Sequence, residues 1–308
     1  MTFNKHVRLV VDAELGAVLR RGFTEAIDAA ELPPRLLYVL AGAEQVRDAV
    51  VDGALPAPDA RFAGEAALDA YALPLLYAFI DERRRRQPDT PECRFGEALA
   101  RGIEPAGSYF ERYLVRMFAG ADAALARHAG RPPYALGLRT AELDMAGRGG
   151  PRRRSFELAC AIYDPSVQRA ILEAIFAAFE TYHARAAERF GPQNDEQVLA
   201  TCWDGFRHAV GMVLLRFRPP HLSAEREWLA TARWRSPARF LVTGDELAPA
   251  LSLRAHAPAA RGLPIEHTLL HEGLPQPRAA ESLRRFYRFH RLPARVAAPA
   301  STAPAAHA

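Results

Sequence analysis

The chain has 308 residues, 49% of them hydrophobic, and a formal net charge of +4. That composition supports a sizeable core and excludes a disordered polymer. All 40 basic residues but Lys5 are arginine, and with 36 acidic residues against them the balance does not point to a nucleic-acid partner. The N-terminus has no apolar signal core, because Arg8 and Asp12 interrupt the short stretch 7–11. Helical spacing of Leu15, Val18, Leu19, Phe23 and Ile27 predicts a first helix over 13–30, stopped by Pro33 and Pro34. A second helix is expected over 36–51. A proline-rich loop over 53–59 then leads to a helix over 62–86, broken at Pro74. A short helix is expected over 95–100, and Ser108 is placed to cap another over 109–129.

Residues 132–151, ending in the run Gly147-Arg148-Gly149-Gly150-Pro151, read as loop. Asp164-Pro165 is a strong helix start, with aspartate as cap and proline in the first turn. It opens an amphipathic helix over 166–190 that Gly191-Pro192 ends. Asn194 or Asp195 caps the next helix, in which Val210, Val213, Leu214 and Phe217 share a face. Pro219 and Pro220 break it, so His221 follows an apolar wall at a helix irregularity, a position suited to an axial metal ligand. Beyond it, prolines leave room only for short helices until a last one over 279–291. No strand alternation stands out. The expectation is a single all-α domain over 1–292 with a disordered low-complexity tail over 293–308.

Three cysteines without close spacing, Cys93, Cys160 and Cys202, argue against a disulfide framework or a zinc site and suit a reducing compartment. No segment approaches the ~20 apolar residues of a membrane span. A cytoplasmic protein without membrane or nucleic-acid partners is expected, with a homo-oligomer left open.

The run Val213-Leu214-Leu215-Arg216-Phe217-Arg218-Pro219-Pro220-His221-Leu222 resembles the proximal-ligand segment of the tryptophan dioxygenase and indoleamine dioxygenase superfamily of haem proteins. Its nearest likeness there is the pyrrolnitrin-pathway branch that rearranges chlorotryptophan. Ser108-Tyr109-Phe110-Glu111-Arg112-Tyr113-Leu114, with Phe95 before it, is similar to the helix whose arginine grips the substrate carboxylate. Together the two matches cover about a fifth of the chain. The resemblance implies an all-α haem-binding fold and a b-type haem with His221 on the iron. It also implies Arg112 on a substrate carboxylate, with Tyr109, Tyr113 and Trp228 as pocket aromatics. The activity implied is oxygenation or oxidative rearrangement of a small aromatic substrate, an aromatic amino acid or indole, by dioxygen or peroxide. The glycine-rich loop that follows the proximal helix in well-known members has no counterpart, since only Gly244 lies between Trp228 and Leu251. His208, in Phe206-Arg207-His208, is the rival ligand.

Two alternatives stand beside this one. The chain would be a non-catalytic haem or ligand carrier, or a di-iron oxidase built on Glu180-x-x-His183. The second lacks a partner motif, because Glu266 and His271 have the wrong spacing.

Overall fold

A computed structural model describes residues 33–57, 71–86, 112–121, 134–143, 157–191, 198, 206, 210–211, 213–233, 240–243, 246–252, 262–271 and 276–297. The expectations for helices over 13–30 and 95–100, and for Cys93, Cys202, Tyr109, His208, the glycine-rich run 146–151 and tail residues 298–308, lie outside them. The chain divides into two compact units, one of residues 1–31, 60–111 and 161–223, the other of 32–59, 112–160 and 224–308.

The all-α expectation is overturned. The second unit is built on a seven-stranded mixed sheet. Its strands are β1 (Leu36–Ala41), β3 (Arg112–Phe118), β4 (Tyr134–Arg139), β5 (Glu157–Cys160), β6 (Glu227–Arg233), β9 (Ile265–Leu270) and β10 (Arg295–Ala297). They lie in the order β10-β9-β4-β1-β3-β6-β5. Only the β10–β9 pair is parallel. A smaller sheet has the order β2-β8-β7, formed by β2 (Ala54–Pro56), β7 (Phe240–Thr243) and β8 (Glu246–Ser252). Two helices belong to this unit, α1 (Ala43–Val51) and the later Gln276–Phe289.

The sheet escaped the hydropathy pattern for a physical reason. A strand covered on both faces presents a continuous apolar run, which periodicity cannot tell from a buried helix. In β1 Leu37, Val39 and Ala41 join the main core, while Tyr38 and Leu40 face the other way and pack with Ala121, Ala135 and Leu269. Leu36–Ala41 therefore reads as apolar throughout. The expected helix over 36–51 is a strand and a helix, with Gly42 at the join. The helix expected over 109–129 is a strand over 112–118. The expected loop over 132–151 holds β4. The sparse region after His221 supplies β6 to β9, and the supposed tail begins with β10 on the sheet edge.

The main core of this unit gathers Val46, Ala49 and Val50 of α1, Leu55, Met117, Leu136, Leu138, Trp228, Ile265, Leu283 and Tyr287. Gly262 marks a close approach: a Cβ there would lie 2.5 Å from the Val50 carbonyl oxygen.

The first unit is helical among its described residues. It contains α2 (Leu73–Arg86) and α3 (Pro165–Phe190), and residues 198, 206, 210, 211, 213 and 214 are helical as well. The regular helix α2 begins at Leu73, directly after a π-helical turn at Tyr71 and Ala72, with Pro74 next to that change of pitch; residues 62–70 of the expected helix lie outside the described residues. The start of α3 follows expectation: Asp164 Oδ1 accepts the Ser166 amide at 2.7 Å, and Pro165 opens the helix. Gly191, at φ 84°, ends it in the left-handed conformation that costs glycine nothing. Buried residues Ile171, Leu172, Ile175, Phe176, Phe179, Tyr182 and Ala186 recur at three- and four-residue spacing along α3. Phe176 and Phe179 pack on Phe206, with ring centroids 4.9 and 4.4 Å apart.

Candidate functional site

Of the five residues that the haem resemblance implies, His221 belongs to the first unit and Arg112, Tyr113 and Trp228 to the second. His221 lies in a single 3-10 turn, Pro220–Glu225, and its side chain is exposed. The apolar face before it forms as expected, with Val210, Val213, Leu214 and Phe217 all buried in the first unit. That face packs inward, however, and does not carry His221 with it. Arg112 and Tyr113 lie on β3, not on a helix, opposite Arg233 and Ala232 of β6. Trp228, in β6, is buried beside Met117 and Cys160 in the sheet core, a packing position with no open face. Tyr109 lies outside the described residues. An exposed imidazole in a short turn does not fit the axial ligand of a haem enclosed by apolar walls.

The di-iron alternative rests on Glu180 and His183. Glu180 is ion-paired with Arg83, and His183 is buried and stacked on Phe179. Among the described residues no group of three or more His, Cys, Asp or Glu side chains is placed to hold a metal ion. None of the described helices is long and apolar enough to cross a membrane.

A different set of polar side chains converges on the sheet of the second unit. The registers of neighbouring strands place Phe118, Tyr38, Gly137, His267 and Arg295 in one transverse row, on β3, β1, β4, β9 and β10 in turn. Registered partners project to the same face, here the one opposite Leu37 and Val39. Within this row the Tyr38 hydroxyl and His267 Nε2 are 2.9 Å apart, a hydrogen bond that crosses the whole width of β4.

Gly137 makes that crossing possible. A Cβ at this position would lie 3.1 Å from Tyr38 Cε1 and 3.2 Å from His267 Nε2, within the space the two rings now share. The ring centroids stand 5.4 Å apart at 53°. The bulge between Gly137 and Leu138 lets Ile265 pair with Leu138 and His267 with Gly137, so that Glu266 is the extra residue of β9.

Charges surround the pair. Arg35 donates through one guanidinium nitrogen to both Glu266 oxygens, at 2.9 and 2.8 Å. Arg139, two residues along β4 from Gly137, is ion-paired with Glu142, and this bond holds its guanidinium above the ordinary arginine range. Burial pushes the His267 imidazole below the ordinary histidine range. Glu266 opposes that effect, and Arg295 adds to it. His267 is therefore neutral at pH 7, and can either accept the Tyr38 proton or donate to its oxygen.

Composition and periodicity could not have found this pair. Tyr38 and His267 are 229 positions apart, and each stands in a short strand with no local motif. Glu266 entered the sequence argument only as a rejected iron ligand.

No protein-family model, curated protein or solved structure matches the chain.

Proposed function

We propose that the chain is an enzyme that moves a proton on a small anionic substrate, with Tyr38 and His267 as its acid–base pair. The observation that supports this is the hydrogen bond between a phenol and a neutral imidazole, held over a glycine notch with Arg295 and Glu266 near enough to act on the imidazole. An imidazole poised below its usual range is basic yet uncharged at neutral pH, the state a general base requires. In the forward step the Tyr38 oxygen takes a proton from the substrate while its own proton passes to His267 Nε2. The substrate is left as the conjugate base and His267 as an imidazolium, whose charge the neighbouring Glu266 carboxylate favours. Arginine is the side chain suited to hold a carboxylate or phosphate on the substrate.

The test is exchange of solvent deuterium into a panel of 2-oxo acids and sugar phosphates, followed by NMR with the full chain. Exchange that is lost in both Tyr38→Phe and His267→Asn, with unchanged circular dichroism, supports the proposal. Exchange that survives in either variant overturns it, as does no exchange with any panel member. If inorganic phosphate shifts the His267 ring resonances without any exchange, the site binds anions and does not catalyse.

The haem-dependent oxygenase, with haem b on the iron ligand His221 and an aromatic substrate, rests on the resemblance of 213–222 alone. An absorption spectrum of the protein expressed with haem supply decides it. A Soret band that disappears in His221→Ala would restore that assignment.

A further inference from the structure

The C-terminal helix α4 (Gln276–Phe289) has one face in the core, where Ala280, Leu283 and Tyr287 are buried. The remaining arc carries Arg278, Arg284, Arg285 and Arg288, all exposed, and the exposed Arg291 follows directly. Opposed to these five arginines is Glu281, which pairs with Arg285 at 2.9 Å and with Arg288 at 3.4 Å. At the C-terminal end of this arc Phe289 is 82% exposed, one of only two exposed large hydrophobic side chains among the described residues. Its ring stands edge-on to His290, at 5.1 Å between centroids, and His290 in turn meets Phe286 at 4.6 Å.

We propose that this face of α4 binds single-stranded nucleic acid, with the arginines on the phosphates and Phe289, backed by His290, as a stacking platform for one base. The occupant must supply regularly spaced negative charge together with a flat apolar surface, and a nucleic-acid strand has both. An anionic membrane fits less well. Interfacial helices insert an apolar face, and that of α4 is already spent on Leu283 and Tyr287, which leaves a single ring to enter lipid. The overall charge balance of the chain conceals this surface, because acidic residues elsewhere offset a local concentration of arginine.

The experiment is fluorescence anisotropy of a labelled twenty-nucleotide oligo-uridine with the full chain, over a range of salt concentrations. Arg284→Ala with Arg288→Ala should lower the slope of log affinity against log salt by about 1.4, from two lost phosphate contacts. Phe289→Ala should weaken binding roughly tenfold and leave that slope unchanged. Arg85→Ala with Arg86→Ala, on an exposed basic turn of α2, should do neither. The inference is overturned if oligo-uridine does not bind, if the α2 variant loses as much as the α4 variant, or if Phe289→Ala has no effect. Stronger, Phe289-dependent binding to phosphatidylserine vesicles than to RNA would replace it with a membrane surface. All these substitutions are on exposed positions, so circular dichroism should be unchanged throughout.

Discussion

Polar groups of the two units are held in two different ways. In the helical unit the polar groups lie deep and are satisfied by backbone. Gln168, fully buried, donates to the carbonyls of Ile162 at 2.6 Å and Arg218 at 3.0 Å, while its own oxygen accepts from the Tyr71 hydroxyl at 2.8 Å. Arg218, also fully buried, donates to the carbonyls of Leu215 and Phe217. These bonds tie the start of α3 to the segment before His221, where Ile162 and Phe217 form a parallel bridge. In the sheet unit the polar pair Tyr38–His267 is only half buried and bonds side chain to side chain. A group enclosed by carbonyls is fixed, whereas a part-buried pair on a sheet face stays partly open to solvent.

This contrast can be broken first at Arg218. Arg218→Ala should destabilise the protein by about 3–5 kcal/mol, since it leaves buried carbonyls without a donor and a cavity behind. The urea midpoint should show it. A loss below about 1 kcal/mol would mean that the guanidinium contributes little to the helical unit.

In the sheet unit the corresponding weak point is backbone proximity, not a polar knot. Gly262→Ala should cost about 1–3 kcal/mol, because its new methyl group meets the Val50 carbonyl and must push α1 from the Leu263 amide it now bonds. Denaturation of this variant beside Gly137→Ala separates the two glycines. Gly137→Ala should chiefly disturb the Tyr38–His267 bond, seen as a change in the His267 ring resonances.

Inside the same unit, Tyr287 is a buried polar group of the structural kind. Burial pushes its phenol up to about 12, and its hydroxyl shares a 2.6 Å bond with Thr268. Tyr287→Phe should cost about 1–2 kcal/mol by leaving the Thr268 hydroxyl without that partner. It should leave the His267 titration unmoved, since Tyr287 and His267 lie on opposite faces of β9.

The smallest effect is that of pH on His267. Its folded value lies below the unfolded one near 6.5, so the unfolded chain takes up the proton first as pH falls. Stability from the neutral imidazole is complete above pH 6.5 and declines below it, until the folded imidazole also protonates. Urea midpoints at pH 7.5 and 5.5 should fall further in wild type than in His267→Asn. Equal falls would mean that burial does not hold His267 neutral.

Where local chemistry set the structure, the sequence was legible. Asp164-Pro165 and Gly191-Pro192 bracket α3 because a cap, a fixed φ and a left-handed glycine act within a few residues. The apolar face at Val210, Val213, Leu214 and Phe217 is buried as its spacing requires. The amphipathic C-terminal helix was placed to within three residues at its start and two at its end. The sheet was not legible. Leu36–Ala41, apolar on both faces, carries no alternation, and the seven strands of the sheet pair across separations that no window of sequence spans. Arg112 and Trp228, expected near a haem, lie on the paired strands β3 and β6, opposite Arg233 and Met117 respectively. The same pairing brought Tyr38 to His267 over a glycine on the strand between them. The sequence determined the ends of α3 and the approximate span of α4, because hydrogen bonds within a helix reach four residues. Tertiary structure decided the sheet and its polar pair, because a strand finds its partners only when the chain closes on itself.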